Sequence, residues 1–359
     1  MTDTALLKAG PSPRLSNMEL LRIVAMLFVL VLHADYFALG FPRYAAVKAQ
    51  PWAAVPGVLA ESAAVVAVNV FVLISGWFGL RPSVRGAARL LFQSLFLSAL
   101  VAAGVAAAAG FAGRELPEWE SLADSFKDFW FLWTYLILYA FAPLLNVFVE
   151  RSGAKGLRRF LVVFFIMQTF CEYLVSNRYF SNGYSALSFM GLYLLGRHLR
   201  LHCPRLRRVG ARWFWGAYAA YALLSTALLV GGARLLPEQV WRYVPLDRSV
   251  AYTNPLVIFG AAALLLAFSR LRLRSRLVNF LAAGSFSAYL LNTNVLLFPL
   301  YAGVVRRLHA ALSAPLFALA AGGFILAFFL LSTLTDALRR PLWQALERRA
   351  AALARRRPA

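Results

Sequence analysis

Long apolar runs repeat along almost the whole chain, and this repetition restricts the possible folds more than any other feature. A helix needs about 20 residues to cross roughly 30 Å of hydrocarbon. Ten runs approach or exceed this length, at 18–37, 58–79, 88–111, 129–149, 159–176, 184–199, 212–232, 251–269, 277–300 and 313–335. We therefore expect an all-α polytopic membrane bundle of about ten transmembrane helices, with one domain over 1–359 and tails at 1–16 and 337–359.

Composition supports a membrane protein and argues against a nucleic-acid partner. Apolar residues make up 61% of the chain and charged residues 14%, whereas soluble domains have about 45–50% and roughly 25%. The net charge of +22 is distributed in short clusters between the apolar runs, as membrane topology requires. The two cysteines, Cys171 and Cys203, indicate neither a disulfide framework nor a metal site.

Basic residues also predict the orientation, because cytoplasmic loops carry an excess of Lys and Arg. With a cytoplasmic N-terminus, 26 of the 37 Lys and Arg residues fall in inner segments and 10 in outer ones, and Arg22 lies within the first run. Both termini are thus expected to be cytoplasmic. The Arg- and Ala-rich composition fits a multi-pass protein of a bacterial inner membrane.

Three ionisable residues share one face of the first run: Glu19, Arg22 and His33. At about 100° per residue they form one stripe, along which Arg22 and His33 are about 16 Å apart. Charged groups inside a membrane are costly and are functional candidates by default. The alternatives are that Arg22 only snorkels or pairs with Glu19, and that His33 only packs.

Further polar residues lie in the second and fourth runs. Glu61 is at about the depth of His33, where it would either orient the imidazole or mark the start of a helix. Ser75 precedes a glycine, which lets helices approach closely. Tyr135 and Tyr139 are four positions apart on one helix face, and their hydroxyls need partners.

Several common catalytic motifs are absent from the sequence. We find no phosphate-binding G-x-x-x-x-G-K loop, no H-E-x-x-H, no G-x-S-x-G and no dinucleotide fingerprint. Nucleotide hydrolysis, zinc chemistry and a serine nucleophile are therefore disfavoured. We also see no internal repeat of the kind that many transporters carry.

A series of ordered strings resembles the acyltransferase-3 family of membrane O-acyltransferases. The strings are NMELLRIVAM at 17–26 with His33 following, NVFVLISGWF at 69–78, WFLWTYLILYAFAPLLN at 130–146, YLLG at 193–196, YTNP at 252–255 and SFSAYLL at 285–291. The third string is similar to the branch that modifies exopolysaccharides. One departure is Asn292, where the family usually places a histidine.

The resemblance implies a ten-helix enzyme with no bound cofactor or metal, which takes an acyl group from cytoplasmic acyl-CoA. The acceptor would be a hydroxyl of an exopolysaccharide, a cell-envelope glycan or a lipid-linked sugar. Family membership carries over Arg22 and His33 as catalytic residues. Because Asn292 cannot accept a proton at neutral pH, the acid–base role would fall to His33.

We expect Arg22, Arg81 and Arg85 to hold the donor's phosphates, since guanidinium groups suit phosphate, and His33 to deprotonate the acceptor. An acyl-histidine intermediate is a less economical alternative, and acetyl is preferred over succinyl or another short acyl group. The full set of binding candidates is Glu19, Glu61, Asn69, Ser75, Arg81, Arg85, Tyr135, Tyr139, Tyr289 and Asn292.

Two other function classes compete with acyl transfer. In a transporter or flippase for a glycan or a small anion, the charged residues of the first two runs would line a substrate or proton path. A non-catalytic membrane scaffold would not explain buried charges that share one helix face.

Overall fold

The computed structural model describes residues 15–111, 126–241 and 250–355, and the described residues contain helices and loops but no strand. The expected all-α class is therefore confirmed. Most of the predicted tail at 1–16 and the end of the tail at 337–359 lie outside the described residues.

Thirteen α-helices follow one another in the described part of the chain. They are α1 Ser16–Leu32, α2 Tyr44–Ala49, α3 Pro51–Ala64, α4 Ala67–Phe78, α5 Val84–Phe111, α6 Trp130–Phe170, α7 Ala186–His202, α8 Ala211–Leu235, α9 Glu238–Trp241, α10 Pro255–Phe268, α11 Arg276–Asn292, α12 Phe298–Ala311 and α13 Ala314–Arg355. Two π-helical segments, His33–Gly40 and Cys171–Val175, continue α1 and α6.

Six helical segments of the described chain are long and apolar enough to cross a membrane, judged by length and composition. They are Ser16–Gly40, Pro51–Phe78, Val84–Phe111, Trp130–Val175, Ala211–Leu235 and Ala314–Arg349. The protein is thus a multi-pass membrane protein, while the count of ten spans and the orientation of the termini remain predictions.

Some predicted spans differ from the helices in length. Gly153, with φ 60° and ψ −179°, breaks α6 at the point where we expected the loop between the fourth and fifth spans. The ninth run was expected to continue to residue 300, but α11 ends at Asn292. The side-chain oxygen of Asn294 accepts a bond from the Leu296 amide at 3.0 Å, which stabilises a turn before α12.

The first helix occupies a central position, because α1 packs against α3, α4, α10, α11 and α13. Next to it, α4 and α7 pack closely through facing glycines. A Cβ atom added to Gly196 would lie only 3.0 Å from the amide nitrogen of Trp77 and 3.1 Å from the Cα of Gly76. The expectation that Ser75 and Gly76 permit close helix approach is therefore confirmed for the glycine.

Candidate functional site

A cavity of about 1000 Å³ lies beside the N-terminal half of α1, and we call it the basic chamber. Its wall comes from α1, α4, α5, α6, α11 and α13. The charged residues that line it are Arg22, Arg85, Arg89, Arg339 and Arg340 together with Glu19 and Glu347. The excess of arginine gives the chamber a positive potential that favours an anionic ligand.

Arg22 and Glu19 form an ion pair on α1. Arg22 donates to Glu19 across 2.8 Å, and the side chain of Glu19 is 8% exposed. The guanidinium also lies 6.0 Å from the centre of the Phe78 ring. Arg22 is thus paired with Glu19, as the simpler alternative held, and both residues still line the basic chamber.

A second ion pair lies between α5 and α13. Arg85 donates two bonds to the carboxylate of Glu347, at 2.5 and 2.6 Å, and both residues line the basic chamber. Arg81, which we expected to act with Arg85, is exposed and lies outside the chamber wall. Its carbonyl oxygen accepts a bond from the Tyr139 hydroxyl at 3.5 Å.

Tyrosine hydroxyls of α6 complete the polar part of this wall, and each has the partner that we expected. The hydroxyl of Tyr135 lies 3.2 Å from the hydroxyl of Ser75. The hydroxyl of Tyr139 accepts a bond from the Ser83 amide at 3.0 Å. These contacts tie α6 to α4 and to the start of α5.

A second, smaller cavity of about 310 Å³ lies at the C-terminal end of α1, and we call it the apolar chamber. Apart from His33 its lining is aliphatic and aromatic: Met26, Val29, Leu32, Phe37, Val68, Phe71, Trp130, Phe131, Tyr184, Tyr252, Phe286 and Tyr289. Among the described residues that line it, His33 is therefore the one imidazole in an otherwise water-excluding wall.

The imidazole of His33 is hydrogen-bonded through Nδ1 to the side-chain oxygen of Asn292, which is fully buried. An amide oxygen only accepts, so Nδ1 carries the proton and Nε2 is unprotonated in the neutral ring. The residue that orients His33 is thus Asn292 on α11. Glu61, the alternative from the sequence, is also buried, and its Oε2 has no hydrogen-bond partner in the described structure.

His33 lies where the backbone changes from α-helical to π-helical. Its amide N–H bonds to the carbonyls of both Leu30 and Val29, and the π-helical segment then continues to Gly40. Such wider turns occur frequently at functional sites. The sequence did not predict this change, because the apolar pattern of the first run continues through it.

Three phenyl rings separate the two chambers, and we call them the aromatic partition: Phe71, Phe131 and Phe286. Each of the three lines both chambers. The Phe131 ring centre is 6.0 Å from that of Phe71 and 6.3 Å from that of Phe286. The two cavities therefore adjoin through side chains, which can change rotamer without moving a helix.

The remaining candidates have distinct positions. Tyr289 lines the apolar chamber, and its hydroxyl accepts a bond from the Phe131 amide at 3.2 Å. Asn69 lines neither chamber, and its amide nitrogen donates to the Tyr252 carbonyl at 2.9 Å. That bond joins α4 to the loop before α10, so Asn69 stabilises the packing around the site and does not line it.

Arg339 and Arg340, which we expected in a tail, lie on α13. Both line the basic chamber and bond to Asp336. The i, i+3 and i+4 spacing of these three residues indicates one helix face and would have predicted that the helix continues. Gln93, a polar residue within the third run, was a second available signal.

Among the described residues, no group of three or more His, Cys, Asp or Glu side chains could hold a metal ion. The polar side chains that line the two chambers include arginines, glutamates, side-chain amides, serines, tyrosines and one imidazole.

Comparison with known proteins identifies the family. A family model described as an acyltransferase domain, that of the acyltransferase-3 family, matches residues 15–335. No curated protein matches the chain, and no solved structure matches it. The matched region contains α1 to α12, the residues Glu19, Arg22 and His33, and the aromatic partition. With almost its whole length matched, the chain belongs to the acyltransferase-3 family and is a membrane acyltransferase.

Proposed function

We propose that the protein moves an acetyl group from acetyl-CoA to a hydroxyl of an exopolysaccharide, a cell-envelope glycan or a lipid-linked sugar. The observation that carries this proposal is the placement of Arg22 and His33 on one helix, each lining one of two adjoining chambers. A positive chamber suits the donor's phosphates, and a dry chamber with a base suits acyl transfer.

The donor's shape fits the distance between the two ends of α1. Arg22 and His33 are about 16 Å apart along the helix axis. A nucleotide held in the basic chamber therefore needs a long arm to present its thioester to His33. The pantetheine arm of CoA has this extended form, and it would pass the aromatic partition.

The acceptor would approach His33 through the apolar chamber. The rings of Trp130, Tyr184 and Tyr252 form one aromatic surface there, with the Tyr184 centre 4.3 Å from that of Trp130 and 5.2 Å from that of Tyr252. Such a surface can pack against the apolar face of a sugar ring. The acceptor class is supported by the resemblance of residues 130–146 to the exopolysaccharide-modifying branch.

The proposed reaction uses His33 as a general base. Nε2 takes the proton of the acceptor hydroxyl, and the oxygen attacks the thioester carbonyl carbon. The C–O bond forms, the C–S bond breaks, and the proton on His33 passes to the departing sulfur, so that the products are an ester and free CoA. The Nδ1–H bond to Asn292 keeps the ring in the required tautomer.

We predict that His33→Gln lowers the turnover rate by about 10²- to 10⁴-fold, the usual contribution of a general base. The measurement is acceptor-dependent release of CoA thiol from acetyl-CoA, in membranes that carry the wild type or the variant. His309→Gln is the matched control, because His309 is exposed on α12 and lines neither chamber.

Unchanged thiol release in His33→Gln would refute the proposed role of the imidazole. If the folded wild type releases no thiol with any of several acyl-CoA donors and glycan extracts, transfer from acyl-CoA to these acceptors is refuted. In that case transport of a glycan or a small anion would be the function to test next. Comparison of acetyl-CoA with succinyl-CoA in the same assay decides between the two acyl groups.

A further inference from the structure

A fully buried carboxylate on α13 binds three donors. Asp336 is 0% exposed. Its carboxylate accepts hydrogen bonds from the side-chain nitrogen of Gln93 at 2.9 Å, from Arg339 Nε at 2.8 Å and from Arg340 Nε at 3.2 Å. We call these four residues the Asp336 node. Asp336 itself lies one position beyond the region that the family model matches, which ends at residue 335.

The node carries a surplus positive charge in a buried place. One carboxylate faces two guanidinium groups, and the Arg339 residue is only 5% exposed. Burying an unpaired charge is costly, so such a charge implies a partner that the protein is built to receive. A terminal nitrogen of Arg340 is also buried and has no hydrogen-bond partner in the described structure.

The arginines are held in orientations that suit a phosphate group. Each uses its Nε to bind Asp336, which leaves the terminal nitrogens to donate elsewhere. The Arg340 guanidinium also lies 5.0 Å from the centre of the Phe280 ring, and this contact restricts its plane. A planar, pre-oriented guanidinium binds phosphate oxygens bidentately at low entropic cost.

Two of the other arginines of the basic chamber are matched by carboxylates. Arg22 pairs one-to-one with Glu19, and Arg85 pairs one-to-one with Glu347. Arg89 is exposed. Among the described residues that line the chamber, the buried uncompensated charge therefore lies at the Asp336 node.

We propose that Arg339 and Arg340, braced by Asp336, bind the phosphate groups at the nucleotide end of the acyl donor. This inference rests on the proposed function, because it names the part of that donor which the node takes. Arg22 lines the same chamber but is paired with Glu19, so Arg339 and Arg340 take the phosphate-binding role that the sequence assigned to Arg22.

The test is calorimetric binding of CoA and of adenosine 3′,5′-bisphosphate to the detergent-solubilised full chain. We expect Arg340→Gln to weaken both affinities by about 10- to 100-fold, the effect of losing a charged hydrogen bond. Arg340→Lys should recover part of the loss, because it restores the charge without the planar fork. Arg348→Gln is the control, since it removes one exposed charge from the same helix and lies outside the chamber.

Folding is monitored by thermal unfolding of each variant. Asp336→Asn would leave the buried Arg339 and the partly exposed Arg340 without a carboxylate, and this variant is expected to unfold at a lower temperature. Because the Arg340 side chain is 27% exposed, Arg340→Gln is the primary variant. In the transfer assay it should raise the KM for acetyl-CoA and leave kcat at saturating donor within about twofold, as expected when binding is lost uniformly.

Three outcomes separate this inference from the proposed function. If Arg340→Gln leaves the CoA affinity unchanged, or if Arg348→Gln lowers it by the same factor, the Asp336 node does not bind the donor's phosphates. This conclusion holds even if acyl transfer proceeds. Loss of affinity for short-chain phosphatidic acid but not for CoA overturns the inference in favour of a lipid headgroup. CoA binding that depends on the Asp336 node, without any acyl transfer, supports the proposed phosphate site and refutes the proposed transfer from acetyl-CoA.

Discussion

The pair formed by His33 and Asn292 joins two residues that are 259 positions apart in the chain. An asparagine oxygen accepts a hydrogen bond from Nδ1–H and does not itself titrate, so it favours one tautomer of the neutral ring. The departure from the histidine that the family usually places here is thus compatible with a single base at His33. Asn292 acts as a positioning residue in this interpretation.

We predict that Asn292→Leu lowers kcat by about 5- to 150-fold, corresponding to the loss of one buried hydrogen bond, with little change in the KM for the donor. Asn292→Asp keeps an oxygen opposite Nδ1 and should retain most of the activity. The measurement is steady-state thiol release over a range of donor concentrations. Equal activity of the leucine and aspartate variants would contradict the positioning role.

At the scale of helices, α4, which lines the basic chamber, packs closely against α7. Gly76 and Gly196 face each other, and Tyr193, one turn before Gly196, donates to the side-chain oxygen of Asn146 at 2.6 Å. This arrangement links α4, α6 and α7. Small residues allow such close packing inside a membrane, where van der Waals contact replaces the hydrophobic driving force.

We predict that Gly76→Val destabilises the fold by at least about 1–3 kcal/mol through overpacking, because a Cβ there would overlap the Tyr193 carbonyl. Gly104→Val is the matched control, since a Cβ at Gly104 meets nothing within 4 Å. The measurement is the unfolding temperature of the detergent-solubilised protein. If Gly76→Val unfolds at the same temperature as Gly104→Val, α4 and α7 can move apart without loss of stability, which contradicts the prediction.

At the scale of the whole molecule, α1 connects the two chambers and α13 extends the basic one. The 42 residues of α13 span about 63 Å at 1.5 Å per residue, roughly twice the thickness of the hydrocarbon core. The helix must therefore continue beyond the membrane, and it brings Glu347 and the Asp336 node to the basic chamber. The predicted tail is thus helical as far as Arg355.

We predict that both ends of the chain and the basic chamber face the cytoplasm, because of the excess of basic residues on that side. After replacement of Cys171 and Cys203 by serine, Arg272→Cys and Arg307→Cys place single thiols at two exposed positions. A membrane-impermeant maleimide should label the second in intact cells and the first only after permeabilisation. The reverse pattern would invert the orientation and place the donor site outside.

Local chemistry was enough to predict the all-helical membrane fold, the interior stripe of Glu19, Arg22 and His33, and the family. Hydropathy and helical periodicity depend on neighbours within a few turns, which a single sequence displays. The break at Gly153 also fell between two predicted spans, since the surrounding residues are basic and polar.

Only the tertiary structure decided which distant residues meet. The bond from His33 to Asn292 and the bond from Gln93 to Asp336 join positions 259 and 243 apart, and they form only because α1 packs on α11 and α5 lies beside α13. The aromatic partition likewise requires three helices to converge. A hydropathy pattern predicts that a helix is buried but not which neighbour it packs against, because apolar surfaces attract without direction.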